Sequence, residues 1–359
     1  MNQAHKHSFP VPRFLSMPSC AIDISDQSIK YGELISTSDG LRLGRYGQVK
    51  IPEGAIVSGK IENPKLLVET LKDLKKSENL TFIRVSLPEE QMYLFNVLLP
   101  LLSYKEVRET VLLQLEEHIP ISANEAIFDY EIVKVKGAQM MVQVLATSGS
   151  LIESYLSVFD QSGLVPISFE LEAQATARAV CDPTLSTATM IVDFGETRTG
   201  ISIEHEGRVY FTSTFDMGGK ILTDMIAKNF NISFEEAEKM KKSYGIKASG
   251  KENEVFPVIL SGLSVLRDEL EKDIQYWHSH LGEDGEAHPE ITKIILCGGD
   301  ANLAGIAEYL SGSLKISVEH SNSWRNIVDI ETHVPEMPFE ESLSYTTVLG
   351  LALGDFITL

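Results

Sequence analysis

The sequence lacks paired cysteines, an excess of basic charge and long apolar runs. Its three cysteines, Cys20, Cys181 and Cys297, are isolated among 359 residues, and no Cys/His cluster has the spacing of a metal site. We therefore expect buried, reduced cysteines. Lysine and arginine total 31 against 51 aspartates and glutamates, a formal net charge of −20. This balance argues against DNA or an anionic membrane surface as a partner.

No segment is long and apolar enough to predict a membrane span. The longest apolar stretch, Met92–Leu102, contains Asn96 and Pro100 and is much shorter than the ~20 residues of a spanning helix. Residues 1–18 are polar and rich in proline, without the apolar core of a signal peptide. We expect a flexible N-terminal arm and a cytoplasmic protein. A chain of 359 residues with 43% hydrophobic content predicts at least two globular domains.

Three separated segments share one design, an apolar run that ends at a tight turn. They are residues 21–34, 190–203 and 294–306. The first two place Asp23 and Asp193 at a strand end, before small or hydroxylated residues and a returning strand. The third places Gly298 and Gly299 between a strand and a helix. Turn amides can bind phosphates, carboxylates can hold a hydrated Mg²⁺, and glycines permit close backbone approach. Together the segments predict a nucleotide clamp between two halves.

Periodicity predicts mixed α/β structure with a coarse duplication, one half beginning near Cys20 and the other near Met190. Residues 82–162 read as a β-β-α-β-β-α block. Ser233 and Glu236 form a capping box that predicts the start of a helix at 233–243. Further helices are predicted at 63–76, 170–181, 255–280 and 345–356.

The order of these segments resembles the actin-like ATPase superfamily and, within it, the PilM family of type IV pilus assembly. The likeness runs from about Cys20 to the C-terminus. It is carried by SLPEEQMYLFNVLLP, LEEHIPISANEAIFDYEIV, GLVPISFELEAQATARAV, DMGGKILTDMIAKNFNISFEEAEKMK and YTTVLGLALGDF. A domain inserted in the first half separates PilM and FtsA from actin and the sugar kinases. The E-x-x-I-P…D-Y run favours PilM over FtsA.

The resemblance implies an actin-like, ribonuclease H-like duplicated fold with an inserted β-β-α-β-β-α subdomain. Subdomain 1A would comprise 19–85, 166–189 and 340–359, after a flexible arm at 1–18. The inserted subdomain 1C would be 86–165. Subdomain 2A would comprise 190–230 and 291–339, and subdomain 2B would be 231–290. The helix predicted at 170–181, which would connect the two halves, and the C-terminal helix predicted at 345–356 would form the hinge.

The resemblance also implies ATP and Mg²⁺ in the cleft between the halves, with Asp23 and Asp193 holding the metal through water. The implied first phosphate loop contributes Asp23, Ser25, Gln27, Ser28 and Lys30. The implied second loop contributes Asp193, Gly195, Thr197 and Thr199. The nucleoside would be met by Gly218, Gly219, Glu238, Lys241, Gly298, Gly299 and Asn302.

Two of these positions leave alternatives open. Ser25 stands where the family usually has glycine, so its side chain narrows backbone approach to a phosphate. Glu238 and Lys241, one helical turn apart, are equally consistent with a surface ion pair.

The catalytic residue is the least determined. Glu172 matches the position at which relatives place a water-orienting acid. Glu170 in that role, or a helix N-terminal acid without chemistry, is equally compatible with the sequence. ATP hydrolysis is therefore left open.

The implied partner is the short cytoplasmic tail of a PilN-like inner-membrane protein, which would recruit the chain to the inner face of the membrane. Tyr93–Leu102 and a helix at Tyr104–His118 are the candidate walls of its groove. Self-association is open. Two other functions remain, a nucleotide-independent structural adaptor and a small-molecule kinase. For the kinase, no segment matches a catalytic aspartate that would face a hydroxylated substrate.

Overall fold

The computed structural model describes residues 19–38, 40–246, 254–330 and 333–356, so the predicted arm at 1–18 lies outside the described residues. The strands are β1 (Ser19–Ile24), β2 (Ser28–Thr37), β3 (Gly40–Lys50), β4 (Ile56–Val57), β5 (Lys60–Ile61), β6 (Phe82–Leu87), β7 (Met92–Pro100), β8 (Ala126–Lys136), β9 (Gln139–Ser148), β10 (Val165–Leu171), β11 (Ala188–Phe194), β12 (Thr199–His205), β13 (Arg208–Phe215), β14 (Ile291–Cys297) and β15 (Ser317–His320). The helices are α1 (Pro64–Glu78), α2 (Tyr104–His118), α3 (Gly149–Ser162), α4 (Glu172–Val180), α5 (Gly219–Phe230), α6 (Phe234–Tyr244), α7 (Val255–Ser279), α8 (Ile306–Leu314), α9 (Phe339–Ser342) and α10 (Thr346–Leu353).

Two five-stranded sheets repeat one topology, in the orders β10-β6-β1-β2-β3 and β15-β14-β11-β12-β13. In each sheet the first three strands form an antiparallel meander, and two later strands add in parallel beside the first. Parallel neighbours end at the same edge, so the turns after β1 and β6 lie together, as do those after β11 and β14. The predicted duplicated, actin-like fold is confirmed.

Helices cover these sheets with the apolar stripes that the sequence predicts. In α1, Leu67, Leu71 and Leu74 are buried, and the long helix α7 buries residues along one face in the same way. Helix α6 begins at the predicted capping box, in which the Ser233 hydroxyl accepts from the amide of Glu236. Among the helices of the described segments, none has the length and apolar character of a membrane span.

The inserted segment forms a three-stranded antiparallel sheet, β7-β9-β8, with α2 packed on one face. The predicted β-β-α-β-β-α order is present, but its outer elements pack elsewhere. Strand β6 belongs to the first sheet, and α3 packs in the core of the first half with α1. The other face of the inserted sheet rests on the second half, where the Gln143 side chain donates to the carbonyl of Val209 at 2.8 Å.

Strand β10 differs from the sequence expectation, which began a helix at residue 170. The strand runs through Leu171 and pairs with β6, and α4 begins only at Glu172. Pro166 is tolerated because β10 is an edge strand and its register shifts between Pro166 and Ser168. The strand therefore delivers Glu172 to the end of the sheet.

Helices α4 and α10 cross at very short distance between the two halves. A Cβ added at Gly350 would lie 1.8 Å from the carbonyl oxygen of Ala175, so only glycine fits this crossing. Beside it, the hydroxyls of Thr176 and Thr347 are hydrogen bonded at 3.0 Å. This crossing is the predicted hinge region.

We expect Gly350→Ala to lower the free energy of unfolding by about 1–3 kcal/mol, because the added methyl group must push two helix backbones apart. Urea unfolding of the purified protein measures the change. Gly312→Ala is the matched control, since a Cβ at this position of α8 meets nothing within 4 Å. The control should be neutral or stabilising by about 0.5–1 kcal/mol. Equal effects of both variants would contradict the close crossing.

Candidate functional site

The turns of the two sheets face each other across a cavity of about 450 Å³. Asp23, Asp193 and Gly298, the marker residues of the three predicted segments, all line this one cavity. Of the remaining predicted residues, it is also lined by Ser25, Gln27, Ser28, Lys30, Glu172, Gly195, Thr197, Glu238, Lys241 and Gly299. Its size falls in the range of small-molecule sites, about 300–1,000 Å³.

The predicted first phosphate loop is the tight turn between β1 and β2. The amide of Ser25 donates to the carbonyl of Ser28 at 2.9 Å, and the amide of Ser28 donates to the Ser25 hydroxyl at 3.2 Å. The serine at the position where the family usually has glycine thus closes the turn itself and occupies the Ser28 amide. Lys30 lies opposite Asp23 in the register of the two strands, so a cation and a carboxylate flank the turn.

The predicted second phosphate loop is the four-residue turn 195–198 between β11 and β12. The amide of Gly195 donates to the carbonyl of Arg198 at 3.0 Å. The N-terminus of α5 supports the turn from behind. There the amides of Gly219 and Lys220 donate to the carbonyls of Gly195 and Glu196, at 2.9 and 2.8 Å. The helix therefore fixes the shape of the loop that faces the cavity.

The predicted glycines Gly218 and Gly219 do not line the cavity. A Cβ at Gly218 would lie 2.4 Å from the carbonyl oxygen of Glu196, and one at Gly219 would lie 1.9 Å from Oδ1 of Asp300. Glycine is required at both positions for the packing of α5 against the second phosphate loop and against the turn after β14. The structure thus gives these residues a packing role in place of the expected approach to the nucleotide.

Thr199 and Asn302 also lie outside the cavity lining. Thr199 is fully buried, and its hydroxyl donates to the carbonyl of Met217 at 2.6 Å. The side-chain amide of Asn302 donates to the carbonyl of Glu340 at 2.7 Å, next to α9. These hydrogen bonds join β12 to the segment before α5, and the turn after β14 to α9.

The third segment ends at the turn after β14. Gly298 has a φ of +94°, and a Cβ there would lie 2.4 Å from Oδ1 of Asp193. Both the backbone conformation and the contact therefore require glycine. Because β14 is the parallel neighbour of β11, this turn lies directly beside the Asp193 carboxylate.

Lys241 lies at the nucleoside end but already has partners. Its ammonium contacts Oδ1 of Asp300 at 2.6 Å, Glu238 at 2.9 Å and the carbonyl of Gly219 at 3.0 Å. Burial raises the pKa of Asp300, which the nearby Lys241 lowers in turn. The sequence analysis did not identify Asp300, since an acidic residue in a turn is ordinarily solvated.

The structure distinguishes Glu172 from Glu170. Glu172, the first residue of α4, lines the cavity. Glu170 accepts from Arg178 at 2.6 Å and from Arg84 at 3.3 Å, in an ion-pair network below the sheet. Only Glu172 is therefore placed to act on a bound ligand.

Carboxylates from both halves crowd the cavity, and the pKa values of Asp193, Glu89 and Glu172 are raised. Burial raises the pKa of Asp193 to about 6, although nearby Lys30 opposes the shift. Burial, with Asp193 and Glu90 as like-charged neighbours, raises the pKa of Glu89 to about 8. Burial raises the pKa of Glu172 well above its ordinary value, and Arg198 opposes this shift.

Sequence reasoning missed Glu89, Glu90 and Arg198. The two glutamates lie in a short 3-10 turn, Glu89–Gln91, directly after β6. The duplication was the available signal. Strand β6 occupies the same place in the first sheet as β14 in the second, and each is followed by a 3-10 turn at the cavity. The turn after β6 is thus the counterpart of the Gly298–Gly299 turn.

The donor set suits a hydrated cation and a phosphorylated ligand. Asp23 and Asp193 face each other from opposite halves, and two hairpin turns lie beside them. Among the described residues, no group of three or more His, Cys, Asp or Glu side chains could hold a metal directly. Mg²⁺ usually keeps several waters and takes one or two carboxylates, which matches this arrangement.

The chain matches a protein family described as "Type IV pilus assembly protein PilM" over residues 21–356. It resembles a chain of a PilM-PilN type IV pilus biogenesis complex with a TM-score of 0.78 and 21% identity, over 95% of this chain and 99% of that one. Ethanolamine utilization protein EutJ of Carboxydothermus hydrogenoformans gives a TM-score of 0.55 and 17% identity, over 94% and 90%. ADP-bound MreB5 of Spiroplasma citri gives 0.51 and 13%, over 92% and 94%.

Among curated proteins, the cell division protein FtsA of Staphylococcus epidermidis is 23% identical over 254 residues, which is 63% of this chain and 53% of that protein. The chain thus spans about half the length of this relative. At these identities the structural likenesses show an actin-like fold.

We expect the metal- and nucleotide-free protein to lose stability as pH rises. The folded protein holds a proton on Glu89 up to a pKa of about 8, whereas an unfolded glutamate titrates near ~4.3. This contribution is full below the unfolded pKa and is lost as pH rises through about 8. Glu89→Gln should stabilise the protein at pH 9 by about 1 kcal/mol or more and flatten the pH profile.

Urea unfolding at pH 6 and pH 9 measures this difference. Glu69→Gln, a change at an exposed position of α1, is the matched control and should follow the wild-type profile. A Glu89→Gln protein with wild-type stability at pH 9 would refute the buried, crowded carboxylate.

Proposed function

Because the chain belongs to the PilM family of type IV pilus assembly proteins, we propose that it is an actin-like protein that binds ATP·Mg²⁺ in the cavity between its halves. The observation that carries the proposal is the convergence of Asp23, Asp193 and Gly298, from three distant segments, on one cavity. A ligand gripped by turns of both halves favours the closed arrangement of those halves.

Different groups of residues would bind the phosphates, the metal ion and the nucleoside. The turns 25–28 and 195–198 offer backbone amides to phosphates, and Lys30 adds a cation beside them. Asp23 and Asp193 would hold Mg²⁺ through its water shell, which neutralises phosphate charge. Gly298, Gly299 and Glu238 line the remaining part of the cavity, where the nucleoside would lie.

Glu172 is the residue proposed to act on water. Its carboxylate lies at the N-terminus of α4, within 3.7 Å of the Arg198 guanidinium. A carboxylate held in this way can orient a water for attack on a phosphate. Burial raises the pKa of Glu172, and cations in the loaded site would favour its ionised form.

We also propose that the inserted subdomain binds the cytoplasmic tail of a PilN-like membrane protein, which would recruit the chain to the inner face of the membrane. Support comes from the structural likeness to a chain of a PilM-PilN complex. It also comes from large apolar side chains exposed where β7 meets α2. Leu101 is 61% exposed and Tyr104 is 69% exposed, between the two predicted walls of the groove.

A nucleotide-independent adaptor is the second candidate. Two site groups are already engaged within the protein, the Ser28 amide by Ser25 and the Lys241 ammonium by Asp300. If these contacts persist, the Ser28 amide is not available to a phosphate and the Lys241 ammonium is not available to a nucleoside. Titration with fluorescent ATP, with and without Mg²⁺, separates the two candidates.

Asp193→Ala should weaken ATP·Mg²⁺ binding at least about tenfold, a loss of ~1.4 kcal/mol, and should reduce the dependence on Mg²⁺. The same fluorescent titration measures it. Asp73→Ala, at an exposed position of α1, should bind like the wild type. Unchanged affinity in Asp193→Ala would show that the second-loop assignment is wrong.

A phosphate-release assay then tests turnover, which Glu172→Gln should abolish without loss of ATP affinity.

Leu101→Ser should weaken binding of the PilN-like tail peptide about tenfold, because the variant loses an apolar contact at the groove. Fluorescence anisotropy of a labelled peptide reads the affinity. Val334→Ser is the matched control, since Val334 is 84% exposed and lies outside the inserted subdomain. Absence of peptide binding in every nucleotide state would remove the main support for the pilus role.

A further inference from the structure

We propose that Arg198 pairs with Glu90 in the ligand-free protein and binds phosphate when the nucleotide enters. This exchange of partners would couple nucleotide binding in the cavity to the inserted subdomain. This inference rests on the proposed nucleotide function. It concerns residues that sequence analysis did not identify, in the turn 195–198 and the turn Glu89–Gln91.

Arg198 belongs to the second half, but its side chain is surrounded by acids of the first. The guanidinium contacts the Glu90 carboxylate directly, and lies 3.7 Å from Asp26 and 3.7 Å from Glu172. The side chain is only 15% exposed and lines the cavity. One cation therefore serves three carboxylates from three separate elements.

The cavity needs that cation if it is to hold a triphosphate. Apart from Lys30, the other basic side chains that line it already pair with carboxylates: Lys220 with Asp224, Lys242 with Glu238, and Lys241 with Asp300. Lys30 and Arg198 are the cations that act on Asp193, since both lower its pKa. A guanidinium binds phosphate oxygens in bidentate fashion, and the phosphates of a triphosphate carry more negative charge than one carboxylate, so they compete with Glu90 for Arg198.

The loss of Arg198 would leave Glu90 in an unfavourable position. Burial already raises the pKa of Glu90, which Arg198 lowers, and Oε2 of Glu90 is buried without a hydrogen-bond partner. Without its cation, this carboxylate must move toward water or take up a proton. Movement of this carboxylate toward water would shift the turn Glu89–Gln91.

That turn leads directly into the inserted sheet. Gln91 donates to the carbonyl of Ser58 at 3.0 Å, and its own carbonyl accepts from the hydroxyl of Thr147 in β9 at 2.7 Å. The next residue begins β7, one wall of the proposed peptide groove. A change at Glu90 therefore reaches the peptide-binding subdomain through two residues of chain.

The test compares two variants that should have opposite effects on ATP·Mg²⁺ affinity. Arg198→Ala removes the phosphate ligand, and we expect about tenfold weaker binding of ATP and of tripolyphosphate, with Arg198→Lys intermediate. Glu90→Gln removes the competitor, and we expect several-fold tighter binding of both. Arg325→Ala is the matched control. Arg325 forms an ion pair with Asp182, at a distance of 3.2 Å, and neither residue lines the cavity.

Amide hydrogen exchange supplies a readout that is independent of affinity. ATP·Mg²⁺ should raise exchange at the start of β7 in the wild type, and Arg198→Ala should show the raised exchange without ligand. If the wild type binds ATP but Glu90→Gln binds more weakly or equally, or β7 does not respond, the inference is refuted and the proposed function stands. If the wild type does not bind ATP, both fail.

Discussion

Unbalanced negative charge between the two halves is the constraint on which the rest of this structure depends. Asp23 and Glu172 approach the cavity from the first half, and Asp193 from the second. Burial and mutual repulsion raise the pKa values of Asp193 and Glu172, so the protein alone does not stabilise their ionised forms. Lys30 and Arg198 offset this cost only in part, so the cavity suits a ligand that brings a further cation with it.

The duplicated topology produces this arrangement. In each sheet the first strand ends in a hairpin that carries an aspartate, and a parallel strand lies beside it. Each sheet therefore contributes two turns, and the four turns meet at the cavity. The first half adds Glu89–Gln91 and the second adds the Gly298–Gly299 turn. Helices α4 and α10 cross closely at Gly350, beside Ala175. The inserted sheet begins directly after one of the four turns, which places the proposed partner-binding surface next to the cavity.

Local signals predicted elements well when they lay within one segment. The capping box at Ser233 and the leucine stripe of α1 predicted helices that the structure contains. Strand β10 was missed because its segment was assigned to the connecting helix. Its pairing with β6 and its place at the edge of the sheet depend on residues distant in sequence. The site followed the same rule. Most residues within the turn motifs line the cavity, but the partners of Arg198 come from elements distant in sequence, so no local pattern indicated its role.

The most direct test of this account is a crystal structure of the chain with a non-hydrolysable ATP analogue and Mg²⁺. The account predicts phosphates between the turns 25–28 and 195–198, the metal's water shell on Asp23 and Asp193, and the nucleoside beside Gly298. An analogue bound by one half alone, or outside this cavity, would contradict it.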